Sequence, residues 1–488
     1  MSQIDTNEGI RDARKLGIPK MLILGLQHMF AMFGSTVLVP ILVIGYFQAA
    51  TGETLTAGVT VSTTLFCAGF GTLLFHFCSK LKVPAFLGSS FAFLGGFSTV
   101  ANLNSGIFAG MAANDKVAYA CGGIVVAGLL YLVLALIIKV VGVKRVMRFL
   151  PPVVTGPIII CIGLGLASTA VSSASTNWTI ALIALITIVI FNIWGKGMFK
   201  IIPILMGVVV SYCFAIVFTL IFNGATSDAV RAFTGVVDHV DEDGTVVYKA
   251  LLDFSSVSSA SIVGLPAFQL PKFDLTAILV MAPIAIASMM EHIGDMSAIS
   301  ATVGSNFIED PGLHRTLMGD GLATAFAGLI GGPANTTYGE NTGVLELSKV
   351  YDPRVIRLAA VFAIVLSFIP KFSAVITTLP SAIIGGISFM LYGMISAIGV
   401  RNVVENKVDL TKSRNLIIAA VIFVCGLGFS GGLTFTIGGA SITLTALAIA
   451  AIAGIVLNII LPGNDYEFGV NPKGDQSRGV YVSNSDKQ

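Results

Sequence analysis

The chain has 488 residues, of which 55% are hydrophobic and 11% are charged, with a formal net charge of +2. Soluble domains carry about 25% charged residues, so this composition excludes an ordinary soluble protein and predicts one embedded in a lipid bilayer. The near-neutral charge and the lack of any cluster of basic and aromatic residues argue against nucleic acid as a partner.

Residues 1–20 are polar and mixed in charge, and they lack the basic region, short apolar core and cleavage site of a removable signal peptide. The first apolar stretch is therefore expected to be a retained membrane span. Hydropathy and breaker residues divide the chain into about fourteen segments, which predicts an all-α polytopic membrane protein. The expected segment cores are 21–45, 55–77, 84–96, 118–138, 150–170, 179–194, 201–222, 275–303, 317–332, 335–346, 355–370, 380–399, 414–430 and 440–461.

The basic residues of the loops test this count of segments. With the N-terminus inside, 23 of the 28 Lys and Arg residues fall on the cytoplasmic side. The positive-inside rule therefore favours an even number of spans with both termini in the cytoplasm of a cell membrane. The polar connection 223–272 then lies outside, and its turn-then-strand pattern predicts a lid or hairpin.

The six cysteines lie in or beside apolar stretches and show no CxxC spacing, which is typical of small buried hydrophobic side chains. We therefore expect no metal site and no cofactor other than a coupling proton. These cysteines are Cys67, Cys78, Cys121, Cys161, Cys213 and Cys425.

The third and tenth segments, 84–96 and 335–346, are too short to cross a bilayer as helices and are rich in Gly, Ser, Thr and Asn. They occupy corresponding places in two halves of seven segments, and an odd number of spans per half makes the two repeats inverted. Paired interrupted segments of this kind indicate the binding site of a transporter. An extended stretch leading into a half-helix would direct the amides of Tyr338, Gly339 and Glu340 towards a substrate carbonyl.

Two carboxylates stand in the apolar sequence near these breaks, Glu291 within a long predicted helix and Glu340 at the start of a half-helix. An ionisable group at membrane depth costs roughly 3 kcal/mol or more, so it usually faces a substrate or ion pathway. Carboxylates and half-helix amides together suit a ligand with alternating N–H and C=O groups, such as the edge of a pyrimidine base. Phe91 and Tyr392 could hold the faces of such a ring. Glu291 is the candidate proton carrier.

Five blocks of this sequence resemble the nucleobase/ascorbate transporter family, and within it the bacterial uracil permeases. The resemblance runs from about residue 18 to residue 461. The blocks are Gln27-His-Met-Phe-Ala-Met-Phe-Gly-Ser-Thr-Val-Leu-Val-Pro40, Pro84-Ala-Phe-Leu-Gly-Ser-Ser-Phe-Ala-Phe93, Glu291-His-Ile-Gly-Asp295, Asp310-Pro-Gly-Leu-His-Arg315 and Asn335-Thr-Thr-Tyr-Gly-Glu-Asn341.

This resemblance implies two inverted seven-span repeats arranged as a core and a gate domain, uracil/proton symport, elevator-like motion of core against gate, and homodimers formed through the gate. The implied core parts are 21–149 and 273–379 and the gate parts are 150–222 and 380–461, between a cytoplasmic N-terminus (1–20), an outer loop (223–272) and a cytoplasmic tail (462–488). The implied substrate contacts are Phe91, Glu291, Tyr338, Gly339 and Glu340, with Ser35 and Tyr392 lining the site.

One departure from the family pattern concerns the proton. Where the pattern has a second histidine after Glu-His-x-Gly, this chain has Asp295, one helical turn from Glu291 on the same face. Two carboxylates this close would share their protonation. The candidates for proton coupling are therefore Glu291, Asp295, Glu340 and His28, although buried histidines such as His28 are more often parts of a core than relays.

Several other functions are weighed against this interpretation. A channel would not need paired broken segments in inverted halves. An anion exchanger of the same architecture would need a cation facing the half-helices, and the segments that build the site contain no Lys or Arg. No nucleophile–base pair or metal-ligand cluster supports a membrane enzyme. A purine permease of the same family remains the nearest alternative, although Glu340 is typical of pyrimidine carriers and purine carriers tend to have glutamine there.

Overall fold

The computed structural model of the chain describes residues 9–241, 243–429, 431–437, 440–463 and Tyr466. The first eight residues and most of the predicted tail 462–488 therefore lie outside the described residues, and so does the side chain of Glu340.

The described part of the first half contains ten α-helices and one short strand. They are α1 (Ile18–Thr51), α2 (Val61–Cys78), β1 (Leu87–Ser89), α3 (Leu94–Ala101), α4 (Ala113–Val141), α5 (Val143–Met147), α6 (Pro152–Gly165), α7 (Ala167–Ala174), α8 (Trp178–Trp194), α9 (Met198–Ile201) and α10 (Pro203–Gly224). A 3-10 turn, Phe91–Phe93, joins β1 to α3.

The connection to the second half contains α11 (Asp228–Thr234), β2 (Gly235–Val240), β3 (Val246–Ala250) and α12 (Ser255–Ser259). Strands β2 and β3 pair antiparallel. The hairpin predicted for the outer loop is thus confirmed.

The second half repeats the pattern of the first. Its elements are α13 (Leu275–Met281), α14 (Ile284–Val303), α15 (Leu313–Leu329), β4 (Asn335–Thr337), α16 (Glu340–Ser348), α17 (Pro353–Ser367), α18 (Pro370–Thr377), α19 (Ser381–Glu405), α20 (Ser413–Gly428), β5 (Leu433–Ile437), β6 (Ala440–Leu444) and α21 (Ala446–Ile460).

Each of the fourteen predicted segments corresponds to a helix, a pair of consecutive helices or a strand followed by a helix. Among the described residues, seven helices or helix pairs are long and apolar enough to span a bilayer alone, and the bent pair α17–α18 would make an eighth. The remaining segments are shorter helices, α15 with its charged residues, or the two strand–helix units. The chain is a multi-pass membrane protein.

Two details differ from the sequence prediction. Residues 440–444 were expected to begin the last span, but they form strand β6, which pairs with β5. Their alternating Ser, Ile and Thr residues suit an extended chain, because β-branched side chains favour strands. The eleventh segment does not continue straight to residue 370, because α17 ends at Ser367 and α18 leaves at an angle of 87°.

Helix packing divides the spans into two groups. In the first group α4 packs on α15, α2 packs on α15 and α17, and α1 packs on α17. In the second group α19 packs on α6, α7 and α8, while α20 packs on α6 and α21 and α10 packs on α8. The groups meet where α14 contacts α6 and α21 and where α1 contacts α10. The site described below lies at this boundary.

The residues just before α1 contact the end of α14 and the start of α17. Arg11 Nη2 donates to the Val303 carbonyl at the end of α14 over 2.8 Å. Asp12 accepts from Arg354 at the start of α17 over 2.8 Å. The neighbouring Arg14 guanidinium holds the pKa of the exposed Asp12 carboxyl well below its usual range. This segment thereby connects α14 and α17 at the predicted cytoplasmic face.

Small residues allow the tightest helix contact in the first group, as is common in membrane bundles. A Cβ added to Gly128 of α4 would lie 2.5 Å from the amide nitrogen of Ala325 on α15.

We expect Gly128→Ala to lower the free energy of unfolding by about 1–3 kcal/mol, because backbone atoms cannot yield to the added methyl group. Thermal unfolding of the purified protein in detergent measures this change.

Gly393→Ala is the matched control, because a Cβ at Gly393 in α19 meets no atom within 4 Å. Its unfolding midpoint should equal that of the wild type or exceed it slightly, since alanine favours a helix by up to about 1 kcal/mol over glycine. Equal midpoints for the two variants would contradict the close contact between α4 and α15.

Candidate functional site

Two short strands pair within the first group, and each leads into one of the two half-helices. Strand β1 pairs antiparallel with β4, with Leu87 opposite Thr337. The Ser90 amide donates to the Ala334 carbonyl over 2.8 Å, and this bond extends the ladder by one residue. An unsatisfied backbone group in hydrocarbon costs several kcal/mol, so this pairing is what permits extended chain at membrane depth. The 3-10 turn before α3 and the start of α16 are thereby held side by side.

Tyr338 completes the ladder at its other end. Its amide donates to the Phe86 carbonyl over 3.0 Å, and its hydroxyl donates to the Ser89 carbonyl over 2.9 Å. The ring lies over Gly88, where a Cβ would come within 2.3 Å of it. The prediction that the Tyr338 amide is directed at a substrate is therefore wrong, because pairing with β1 already uses this donor.

A small cavity lies between the half-helix starts, α14 and the second group. Its volume is about 20 Å³, roughly the space of one water molecule. The first group and its half-helices contribute acidic, hydroxyl and aromatic side chains, while the second group contributes only isoleucines. The lining residues are Phe91, Glu291, Asp295, Thr336, Thr337, Tyr338, Gly339, Ile159, Ile395 and Ile398. Four of the residues predicted from sequence to contact substrate, Phe91, Glu291, Tyr338 and Gly339, thus line one cavity.

Gly339 brings the backbone of the half-helix directly against a carboxylate. A Cβ at this position would lie 3.0 Å from Asp295 Oδ1. Among the described residues, no acceptor is bonded to the Gly339 amide. Three amides were proposed as donors to the substrate. Gly339, which carries one of them, lines the cavity beside Asp295. Glu340 follows as the first residue of α16.

Tyr392, Ser35 and His28 are not among the residues that line this cavity. Tyr392 meets Phe91 edge-on, with ring centroids 5.8 Å apart and an interplanar angle of 77°, so the two rings do not face each other across a gap. Ser35 is buried on α1, one turn beyond Ala31, which lines the larger cavity described below. His28 is fully buried on the same helix, and neither ring nitrogen has a hydrogen-bond partner among the described residues.

Two polar residues, one lining the cavity and one buried behind it, were not found from the sequence. Thr337 Oγ1 donates to Asp295 Oδ2 over 2.9 Å. Asp320 on α15 lies with its Oδ2 3.0 Å from His292 Nδ1, and both side chains are fully buried. An isolated acid in the apolar segment 317–332 is the same signal that identified Glu291, so Asp320 could have been found in this way. Thr337 carries no such signal.

A larger cavity connects the site to one face of the protein. It measures about 450 Å³ and is formed by residues of α1, α8, α9, α10, α14, α16 and α19. Asp295, Gly339 and Ile398 line both this vestibule and the small cavity. The exposed Lys200 and Arg401 also line the vestibule, and both belong to loops predicted to be cytoplasmic. We therefore identify this structure as open towards the predicted cytoplasmic side.

A sequence profile described as a permease family matches residues 19–435 of the chain. The chain belongs to the nucleobase/ascorbate transporter family. It is 38% identical to the uracil permease of Bacillus caldolyticus over 93% of this chain and 94% of that protein. It is 37% identical to the uracil permease of Bacillus subtilis (95% and 97%) and 36% identical to the putative pyrimidine permease RutG of Escherichia coli (92% and 90%).

Solved structures of more distant transporters show the same fold. The transmembrane domain of a cyanobacterium bicarbonate transporter, BicA, superposes with a TM-score of 0.50 at 15% identity over 92% of this chain and 99% of that chain. SLC26A9 superposes with a TM-score of 0.55 at 11% identity over 92% of this chain and 66% of that chain. The arrangement of two inverted seven-segment repeats in core and gate domains is thereby established for this member of the nucleobase/ascorbate transporter family.

Membership of this family decides between the function classes left open by the sequence. The family and its curated relatives are permeases, so the chain is a transporter and not an enzyme. The likeness to BicA extends to the fold alone, and the anion-exchanger alternative gains nothing from it. Among the described residues, no Lys or Arg lines the small cavity.

The direction in which the vestibule opens can be tested by labelling. In a background without the native cysteines, we expect Ser297→Cys to react with a membrane-impermeant maleimide in inside-out vesicles and to remain unlabelled in intact cells. Ser297 lines the vestibule, and a thiol there is reached by water from the predicted cytoplasmic face only. Ser300→Cys is the control on the same helix, because Ser300 is fully buried and should stay unlabelled in both preparations. Labelling of Ser297→Cys in intact cells alone would contradict this orientation.

Proposed function

We propose that this permease imports uracil across the cell membrane together with protons. The observation that supports this most is the small cavity at the two half-helix starts, which Glu291, Asp295 and Gly339 line together. Its closely similar relatives are named uracil permeases. The partners of this chain would then be a pyrimidine base, protons and the lipid bilayer, without a cofactor.

Uracil carries two N–H donors and two carbonyl acceptors that alternate around its ring. The residues that line the cavity supply acceptors and donors for these groups. The Glu291 carboxylate accepts from ring N–H groups, while the Gly339 amide donates to a carbonyl. Phe91 supplies an apolar surface for the ring, and Tyr392 supports Phe91 from the side. We assign Glu340 a second contact from its place at the start of α16, and Ser35 and Tyr392 the periphery of the site.

Proton coupling is assigned to the carboxylates at the cavity. Glu291 and Asp295 both line it and are separated by one helical turn, so the pair takes up protons jointly. Glu340 stays a third candidate by its position. His28 is the weakest of the four candidates, because it lines neither the cavity nor the vestibule. One proton moving across 100 mV supplies about 2.3 kcal/mol, which supports roughly fifty-fold accumulation.

We further propose that the two helix groups are the core and gate domains and that they move against each other as in an elevator. The core comprises 21–149 and 273–379, and the gate comprises 150–222 and 380–461. A cavity of about 20 Å³ is too small for a pyrimidine ring, so binding requires Ile159, Ile395 and Ile398 of the gate to move away from the carboxylates. The gate is also the proposed homodimer contact, since the core must remain free to move.

The function is tested by radiolabelled uracil uptake in cells that lack their own uracil permease. We expect saturable, concentrative uptake that a protonophore abolishes and that 5-fluorouracil competes with more strongly than xanthine. Uptake displaced by xanthine but not by 5-fluorouracil would replace the pyrimidine assignment with the purine alternative. Uptake that is linear in concentration and insensitive to the protonophore would contradict a coupled carrier.

The role of Glu291 is tested by Glu291→Gln, which keeps the shape of the side chain and removes its proton exchange. We expect loss of proton-driven accumulation, at least tenfold, while uracil binding or exchange of internal for external uracil persists. The exposed Glu309 lies outside both cavities, and Glu309→Gln should accumulate uracil as the wild type does. Normal accumulation by Glu291→Gln would transfer the coupling role to Asp295 or Glu340.

A further inference from the structure

A buried pair of ionisable groups connects helix α14, which carries His292, with helix α15, which carries Asp320. His292 Nδ1 is 3.0 Å from Asp320 Oδ2, and both side chains have no exposed surface. The same nitrogen is 3.4 Å from Thr337 Oγ1. Thr337 in turn donates to Asp295 Oδ2 over 2.9 Å. One hydroxyl thus connects a carboxylate of the transport site to a histidine–aspartate pair that never contacts the cavity.

The charge of this pair is constrained by its surroundings. A buried ionised carboxylate is strongly unfavourable unless a cation or several hydrogen bonds compensate it. Among the described residues, no Lys or Arg forms an ion pair with Asp320, and His292 is the group close enough to compensate its charge. Together they hold one proton, as an imidazolium with a carboxylate or as an imidazole with a carboxylic acid. Helices α14 and α15 pack on α2, α4, β4 and α16. Titratable residues on or next to these elements include Glu291 and Asp295 of α14 itself, Tyr131 of α4, His76 of α2, Tyr338 after β4 and Glu340 as the first residue of α16.

Thr337 can donate its single hydroxyl proton to only one acceptor at a time. While Thr337 donates to an ionised Asp295, its oxygen can only accept, and the group able to donate to it is His292 Nδ1–H. Once Asp295 is protonated, it becomes a donor to Thr337. The hydroxyl is then free to turn towards Nδ1, which must give up its proton to accept. The orientation of this one hydroxyl therefore links the protonation of Asp295 to the form of the His292–Asp320 pair.

We infer that His292 and Asp320 form an internal counter-charge for Asp295, transmitted through Thr337; this inference rests on the proposed proton coupling. In the proton-free state, an imidazolium lies near two carboxylates. When a proton binds Asp295 and forms its O–H bond, the Nδ1–H bond of His292 breaks and the same proton forms an O–H bond on Asp320. One proton enters in total, and the whole cluster becomes neutral. His292 and Asp320 act here as positioning residues that do not line the cavity, and Thr337, which lines it, transmits their effect to Asp295.

The inference predicts how the pH dependence of uracil binding changes when the link is cut. In the wild type, donation from Thr337 and the charge of His292 stabilise ionised Asp295. Because uracil binds together with a proton, binding weakens as the pH rises, and this stabilisation places the midpoint of the loss at a comparatively low pH. Thr337→Val removes the hydroxyl without a large change of shape. We expect the midpoint of the pH profile to rise by about one unit, a tenfold change in apparent proton affinity. His292→Gln, which removes the cation, should shift the midpoint in the same direction.

Binding is measured on the purified full-length protein by calorimetry with uracil between pH 5 and pH 9, in two buffers of different ionisation enthalpy, so that protons taken up per uracil are counted. Thr337→Ser retains a hydroxyl and should restore the wild-type midpoint. Thr324→Val is the matched control, because the Thr324 hydroxyl is also buried and donates to the Asn335 carbonyl over 2.9 Å, outside the linked groups. It should bind with the wild-type midpoint.

Wild-type midpoints for both Thr337→Val and His292→Gln would overturn the counter-charge while leaving the proposed symport intact. A wild-type protein that binds uracil without any proton uptake would overturn the coupling itself and the inference with it. A merely structural role of the pair would lower the thermal stability of both variants without moving the midpoint. If Thr337→Val does not fold, His292→Gln and Thr337→Ser decide the question between them.

Discussion

The antiparallel pairing of β1 with β4 is the interaction on which the rest of this structure depends. Extended backbone at membrane depth is tolerated only when protein satisfies its hydrogen bonds, and here each interrupted segment satisfies the other. The bonds that Ser90 and Tyr338 add at the ends of the ladder fix where each half-helix begins. The two strands lie about 250 residues apart in sequence, so their pairing joins the two halves of the chain at the candidate site. Loss of either strand would leave the other unpaired in hydrocarbon.

This pairing also explains why the acidic residues gather on one side of the cavity. Helix α14 packs beside β4 and α16, so Asp295 meets Gly339 and Thr337, and Glu291 lines the same cavity. The opposite wall consists of isoleucines from the second helix group. The polar lining thus comes from one helix group and the apolar lining from the other.

Most of the fold follows from patterns that the sequence displays locally. Apolar length, breaker residues and loop charge predict the fourteen segments, because a bilayer imposes a fixed thickness and excludes unsatisfied backbone. Strand β6 was missed because a short apolar stretch with β-branched residues reads equally well as the start of a helix. The 87° bend after α17 also has no unique local signature, since a proline such as Pro370 both ends and begins helices.

The sequence by itself determined that this is a multi-pass transporter of a known family, and it predicted Phe91, Glu291 and Gly339 as site residues, which line one cavity in the structure. These conclusions rest on composition, on the cost of burying carboxylates and on local motifs. Only the tertiary structure decided which donors remain available. The Tyr338 amide is already used by Phe86, and Asp295 is linked through Thr337 to His292 and Asp320. Hydrogen bonds between residues distant in the chain depend on packing in three dimensions, which no local pattern records.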